Sequence, residues 1–294
     1  QLRVRRLSHH GVVLHLSSAR AAWGFGFEFE TDDEALAHVM TRAYSDLPAA
    51  DWSVTRLSAR RTEADGHVGY VVTVRHPDGR VEPCGEGRGP AKVLELLCWE
   101  INRRARLSAA ERTVLHAAVV GGPLGAVVLC GESHSGKSTL AAAAAQRCWR
   151  HLSDDLALID VPTLTVAPYA RPVMLRAGGR AHLERQIVVP AEQAAFFGEE
   201  WFVPASQLGA TIVHEPQPLV AVCMLQWGDQ AALQPLGRAE LLHGMLTHSA
   251  TIAARGEAGF DELVQLAHHV PGHRLVLGGA HEALGLIAPL VGAS

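Results

Sequence analysis

The stretch GESHSGKSTL, residues 131–140, decides the fold. It sets Gly131, Gly136, Lys137 and Ser138 in the spacing G-x-x-x-x-G-K-S. An apolar run, Ala126 to Cys130, precedes it and reads as a buried parallel strand. An alanine-rich helical pattern, Thr139 to Arg147, follows. Strand, glycine loop and helix, in that order, are the setting in which this spacing means a phosphate-binding loop. The glycines let backbone N–H groups turn inward onto phosphate oxygens, and the helix N-terminus adds a favourable dipole. Gly131, Glu132, Ser133, His134, Ser135, Gly136, Lys137, Ser138 and Thr139 are therefore the candidate nucleotide-binding set. Lys137 would reach the β/γ-phosphates and the Ser138 hydroxyl would ligate Mg²⁺.

Composition sharpens this reading. The chain has 26 Lys plus Arg, yet only two are lysines, Lys92 and Lys137. A sequence that uses arginine almost everywhere else keeps a lysine inside the loop. A planar guanidinium does not replace a compact ammonium there.

The totals set the outer limits. A length of 294 residues fits one large or two modest domains. Formal net charge is −4, so no basic field points to nucleic acid. No apolar run approaches the roughly 20 residues of a membrane span. The opening QLRVRRLSHHG carries charge and no signal-like apolar segment. The five cysteines, Cys84, Cys98, Cys130, Cys148 and Cys223, form no C-x-x-C pair. A reduced, cytoplasmic protein without structural zinc is the expectation. Cys130 reads as small strand filler rather than a reactive thiol. The pairs His9-His10 and His268-His269 lack a third ligand at a familiar spacing and read as solvated or helix-end histidines.

Along the chain, residues 1 to about 105 read as a small α+β domain with a substrate-binding or regulatory role. VVLHL (12–16) and WGFGFEFE (23–30) alternate like strands, the second placing Trp23, Phe25, Phe27 and Phe29 on one core-facing side. TDDEALAHVMTRAY (31–44) reads as a helix capped by Thr31. DWSVTRLSAR and VGYVVTVRHPDGR read as strands, with a turn at Asp78-Gly79. GPAKVLELLCWEINRRARL (89–107) is an amphipathic helix with Pro90 near its start. Residues 106–294 alternate strand and helix as an α/β domain does. TVLHAAVV (113–120), PLVAVCMLQW (218–227) and HRLVLGG (273–279) are its further strands. Helices are expected over 238–251, 260–270 and 281–291, and an irregular stretch runs from the acid pair to about 215.

WRHLSDD (149–155) ends in Asp154 and Asp155, which begin sixteen residues after Ser138. One helix and one turn fill that gap. The pair is then expected at the C-terminal end of the strand beside the loop strand, the ligand edge of an open sheet. One carboxylate there can hold Mg²⁺, directly or through water, and the other can take a proton from an attacking hydroxyl. His116 lies fifteen residues before Gly131. On spacing alone it reads as a core histidine. If the turn at 121–125 returns the chain alongside, it can lie under the site and orient one aspartate.

Together LHAAVV, GESHSGKSTLAAA, WRHLSDD and PYARPVMLR (168–176) resemble the catalytic domain of bacterial HPr kinase/phosphorylase, and more closely its stand-alone HPr-kinase-like relatives. The resemblance covers about residues 90 to 294. It implies a P-loop kinase fold of the phosphoenolpyruvate-carboxykinase-like type, with His116 as a site residue beside Lys137. It also implies that Asp154 is the base and that Asp155 lies near the metal with Ser138. The family's E-x-R-G-x-G signature has no full counterpart. The nearest match, LERQIVV (183–189), lacks both glycines, which speaks against phosphorolysis and against HPr as substrate. Such relatives include tailoring enzymes that phosphorylate a serine of a ribosomal precursor peptide, and the family tends to form homo-oligomers.

The leading reading is a kinase using Mg-ATP and an acceptor hydroxyl, foremost a serine of a peptide or protein. Arg171 or Arg176 could approach the transferring phosphoryl. A small-molecule hydroxyl acceptor is the runner-up. A non-catalytic nucleotide-binding regulator would lack a base, and Asp154 is present. A motor or transport ATPase would show a sensor or signature loop, and none is legible.

Overall fold

The structure, a computed structural model, describes residues 5–9, 12–64, 67–181, 183 and 200–293. The chain divides into two compact units, Gln1–Ser108 with Val188–Phe202, and Ala109–Ile187 with Val203–Ser294.

The first unit runs β1 (Arg5–His9), β2 (Val12–Leu16), β3 (Arg20–Ala22), β4 (Phe25–Thr31), α1 (Glu34–Ala43), β5 (Thr55–Ala64), β6 (His67–Arg75), β7 (Val81–Arg88) and α2 (Pro90–Ser108). Its sheet has the order β1-β2-β4-β5-β6-β7, with β3 also on β4. The β4–β5 pair is parallel, as its intervening helix α1 requires. Phe25, Phe27 and Phe29 are buried on one side of β4. Tyr44, just after α1, meets Phe27 edge-on with ring centroids 5.4 Å apart. Trp23 does not extend this stripe. Its φ of 55° puts it in a turn, so β4 begins only at Phe25. The cap of α1 is Asp33 rather than Thr31, because Asp33 Oδ1 accepts the Leu36 N–H at 3.0 Å. The Thr31 hydroxyl instead accepts the Asp33 N–H.

From Ala109 the elements are β8 (Thr113–Gly122), β9 (Gly125–Cys130), α3 (Lys137–Gln146), β10 (Arg150–Ser153), β11 (Leu156–Asp160), β12 (Thr165–Ala167), β13 (Val173–Arg176), α4 (Ala177–Ala181), β14 (Glu200–Val203), a 3₁₀ turn (Ala205–Leu208) and β15 (Thr211–Ile212). They continue with β16 (Gln217–Trp227), β17 (Ala232–Pro235), α5 (Arg238–Thr247), α6 (Ile252–His269), β18 (Gly272–Leu277) and α7 (Ala280–Val291). β8 and β9 form a tight hairpin. Gly125 makes it possible, with a φ of 142° and no room for a Cβ, which would lie 2.5 Å from the Pro218 carbonyl oxygen. β9, β16 and β18 are parallel, and β17 closes antiparallel on β18. One face of the sheet packs on α3 and α7 through Leu140, Leu284 and Ile287. The other packs on α5 and α6 through Leu241, Met245, Leu263 and Leu266. Leu140 to Ala145 are all buried. α3 is therefore apolar all round and enclosed, and its alanines allow a close approach to the strands.

Two expectations fail here. The described residues of the stretch from the acid pair to about 215 are not irregular, since they hold β11 to β15 and α4. These elements have two to five residues, too few for a readable period, and tertiary pairing holds them. The acid pair is also not beside the loop strand. The hairpin gives that place to β8, and β10 pairs antiparallel with the far edge of β8. β10 therefore still runs in the direction of β9 and delivers its C-terminal end to the same sheet edge. Of LERQIVV, only Leu183 lies within the described residues. Among the described residues no helix is long and apolar enough to cross a membrane.

Candidate active site

The loop follows β9 directly. Gly131 and Gly136 are needed for different reasons. A Cβ on Gly131 would fall 2.4 Å from Ser135 Oγ, and Gly136 has a φ of 94° as it opens α3. Lys137 is buried, and its Nζ donates to the carbonyl oxygens of Gly131 at 2.6 Å and Glu132 at 2.8 Å. Burial lowers its proton affinity, against the opposing pull of Asp155 and Asp154. Ser133, His134, Ser135, Gly136, Lys137, Ser138 and Thr139 line a cavity of about 360 Å³. Gly131 and Glu132 serve through their carbonyls rather than as cavity wall.

The same cavity is lined by His116, Asp154, Asp155 and Arg171. Register explains how they meet. β10 and β11 both pair with β8, Ser153 opposite Val119 and Leu156 opposite His116. The two aspartates occupy the break between these ladders, where the Ala117 N–H donates to the Asp155 carbonyl oxygen at 2.9 Å. His116, one step along, places Nδ1 3.1 Å from Asp155 Oδ1. Its side chain is 43% exposed, so the core-histidine reading of its spacing does not hold. The PYARPVMLR segment is stitched to β10 by the Tyr169 N–H, which donates to the Leu152 carbonyl oxygen. That contact sets buried Arg171, whose Nη1 lies 3.0 Å from Asp155 Oδ2.

The two carboxylates thus have opposite surroundings. Asp154 is buried, its Oδ2 accepts the Met174 N–H at 2.8 Å, and its Oδ1 has no hydrogen-bond partner. Burial pushes its pKa up to about 7, with Arg171, the Met174 N–H and the Ser138 hydroxyl pulling the other way. Burial also works against ionisation of Asp155. There Arg171, His116 and Lys137 win, and its pKa falls to about 2. Of the two arginines expected near a phosphoryl group, Arg171 is held on Asp155. Arg176 Nη1 stands 2.7 Å from His134 Nε2 at the cavity wall.

Two residues at this edge carry no sequence signal. His248 follows α5 and is drawn to β8, where its carbonyl oxygen accepts the His116 N–H at 2.7 Å. Burial, Lys137 and His116 together lower its proton affinity. Trp227, at the end of β16, also lines the cavity and donates from Nε1 to the His134 carbonyl oxygen at 3.0 Å. The thiol of Cys130 is buried and pushed up to about 12, which makes it strand filler. His268 and His269 are exposed in the last turn of α6. The side chains of His9 and His10 lie outside the described residues.

The donor set suits Mg²⁺. Ser138 offers a hydroxyl oxygen and Asp154 and Asp155 offer carboxylate oxygens, all on one cavity. The described residues contain no cluster of three or more His, Cys, Asp or Glu side chains able to cage a metal. A cation held by one or two carboxylates and substrate phosphates is how Mg²⁺ is ordinarily bound.

No family model matches the chain, and no curated protein matches it. Among solved structures it is similar to the Hpr(Ser) kinase/phosphatase from Coxiella burnetii, at 12% identity and a TM-score of 0.30. The match covers 60% of this chain and 93% of that one. A likeness of this size transfers no activity.

Proposed function

We propose that this chain is an ATP-dependent phosphotransferase of the HPr-kinase-like type, acting on a hydroxyl, foremost a serine of a peptide or protein. One observation carries the reading: two adjacent, differently partnered carboxylates face the loop lysine across a single cavity. A hydrolase or a nucleotide sensor needs a carboxylate for the cation. A nucleotide sensor has no need of a second, buried one. A hydrolase could use it to activate water, and label transfer to an acceptor separates transfer from hydrolysis.

The residues divide the work. Loop N–H groups and Lys137 bind and orient the triphosphate, and Lys137 offsets charge that develops on the transferring oxygens. Ser138 and Asp155 would hold Mg²⁺, which supplies charge neutralisation on the phosphates when bound. Arg171 and His116 keep Asp155 ionised and fixed. Asp154 Oδ1 accepts the proton of the acceptor hydroxyl. The new O–P bond forms as the bond from the γ-phosphorus to the ADP oxygen breaks, and the proton stays on Asp154. A carboxylate with proton affinity near neutrality suits this base role. The test is phosphate transfer from γ-labelled ATP to serine peptides and to small alcohols. Label on serine supports the preferred acceptor, and label on small alcohols alone moves the reading to a small-molecule kinase. Release of free phosphate with no labelled acceptor contradicts it.

A further inference from the structure

We infer that Trp227, with the Leu277–Gly279 segment, forms the seat of the nucleotide's purine base. The inference rests on the phosphate-loop reading and goes beyond it, because nothing in the loop motif says where the base lies.

The direction of the nucleotide follows from the loop. Lys137 and Ser138 mark the β/γ end, and Asp154 and Asp155 lie on the β8 side of β9. The α-phosphate and base must leave the other way, over the first turn of α3 and towards β16 and β18. These strands run parallel to β9, so their C-terminal ends share the loop's sheet edge. Trp227 and Leu277 stand there as register partners.

Their setting is that of a platform. Trp227 is 54% exposed, so much of its ring is open to a ligand. Its orientation is nonetheless fixed, since Nε1 is held by the His134 carbonyl oxygen. The ring packs on the loop itself. A Cβ at Gly136 would lie 3.3 Å from Trp227 Cζ2 and 2.9 Å from Leu277 Cδ1. Beside the ring is a small hollow walled by Thr139, Leu140, Leu277, Gly278 and Gly279. Gly136, Thr139 and Trp227 line both the hollow and the loop cavity, so the hollow adjoins the phosphate site. The hollow, about 30 Å³, would take one edge of a flat base, with the rest of the base lying against the exposed indole. Base-on-aromatic stacking is sequence-tolerant and strong enough to matter for affinity.

The experiment compares Mg-ATP with magnesium tripolyphosphate, which has the phosphates and no base, by titration calorimetry on the full chain. Trp227→Ala is expected to weaken ATP roughly 5- to 100-fold, the size of one lost stacking contact, and to leave tripolyphosphate unchanged. Trp227→Phe, which keeps a ring but not the N–H, should retain most of the ATP affinity. Gly279→Leu supplies a test independent of the indole. Gly279 walls the hollow, and its Cβ would meet nothing nearer than Glu282 Cδ at 3.9 Å, so a side chain there adds bulk at the hollow's rim without a backbone clash. It should also weaken ATP alone. Equal losses for ATP and tripolyphosphate in both alanine and leucine variants, or unchanged ATP binding in both, would overturn the base seat and leave the loop reading standing. A parent protein that binds neither ligand overturns the loop reading, and the base seat with it.

Discussion

Glu100 on α2 and Asp154 after β10 are equally buried, each 3% exposed, yet they end in opposite states. Burial alone would push both carboxyls up. Glu100 meets two guanidinium groups, Arg103 Nη2 at 2.7 Å and the Arg104 Nε, and its proton affinity falls below the ordinary carboxylate range. Arg104 passes the chain on to Glu82 at 3.0 Å, so every charge in that set is answered. Asp154 keeps one oxygen without a partner, and burial outweighs the Met174 N–H, the Ser138 hydroxyl and the field of Arg171, so its pKa rises to about 7. A buried charge that holds a helix in place is paired out. A buried charge with unused hydrogen-bonding capacity costs stability and is the kind that reacts.

The comparison can be broken at several points. Lys137→Ala should reduce ATP turnover by about 10³-fold, the scale of losing a preorganised charge at the transferring group. Lys92 is the only other lysine and lies in the first unit. Unimpaired turnover would remove the loop from the chemistry. Glu100→Gln should lower the unfolding free energy by about 2 kcal/mol in denaturant titration, because it takes the charged partner from Arg103 and leaves Arg104 with Glu82 alone. An unchanged midpoint would mean that the α2 network is ornamental. Asp155→Asn should raise the Mg²⁺ concentration needed for half-maximal rate by roughly tenfold, read from rates across a magnesium series.

The smallest effect has an unusual sign. The raised pKa of Asp154 means that its protonated form favours the folded state. That contribution is fully present below the ordinary carboxylate range and is lost as pH rises through about 7. Asp154→Asn, neutral at every pH, should therefore be more stable than the parent at pH 8. The gain should be on the order of 1–2 kcal/mol and should fade as the pH drops towards 4. Glu100→Gln should show no such gain. Thermal melts of both variants across this range check the pair.

Much of this was legible in the chain. The loop needed only Gly131, Gly136, Lys137 and Ser138 in their spacing between a strand and a helix. The acid pair was visible as well, because two adjacent aspartates close a short segment one helix beyond the loop. Its neighbour strand was misread, since nothing in GGPLG says that the hairpin occupies the place beside β9. The exposure of His116 follows from the same pairing, which sets it opposite Leu156 beside the acid break. Arg171 could be noticed but not placed, because its position depends on the backbone bond from Tyr169 to Leu152. Trp227 and His248 carried no signal at all. Both arrive at the edge only when distant strands and helices close on the loop.

The most direct test is single-turnover phosphate transfer by Asp154→Asn, with ATP affinity measured on the same preparation at saturating Mg²⁺. Asparagine keeps the size and the Met174 contact but cannot take the proton. Transfer should fall about 10²- to 10⁴-fold with ATP affinity unchanged. Transfer at the parental rate would contradict the assignment of Asp154 as the base.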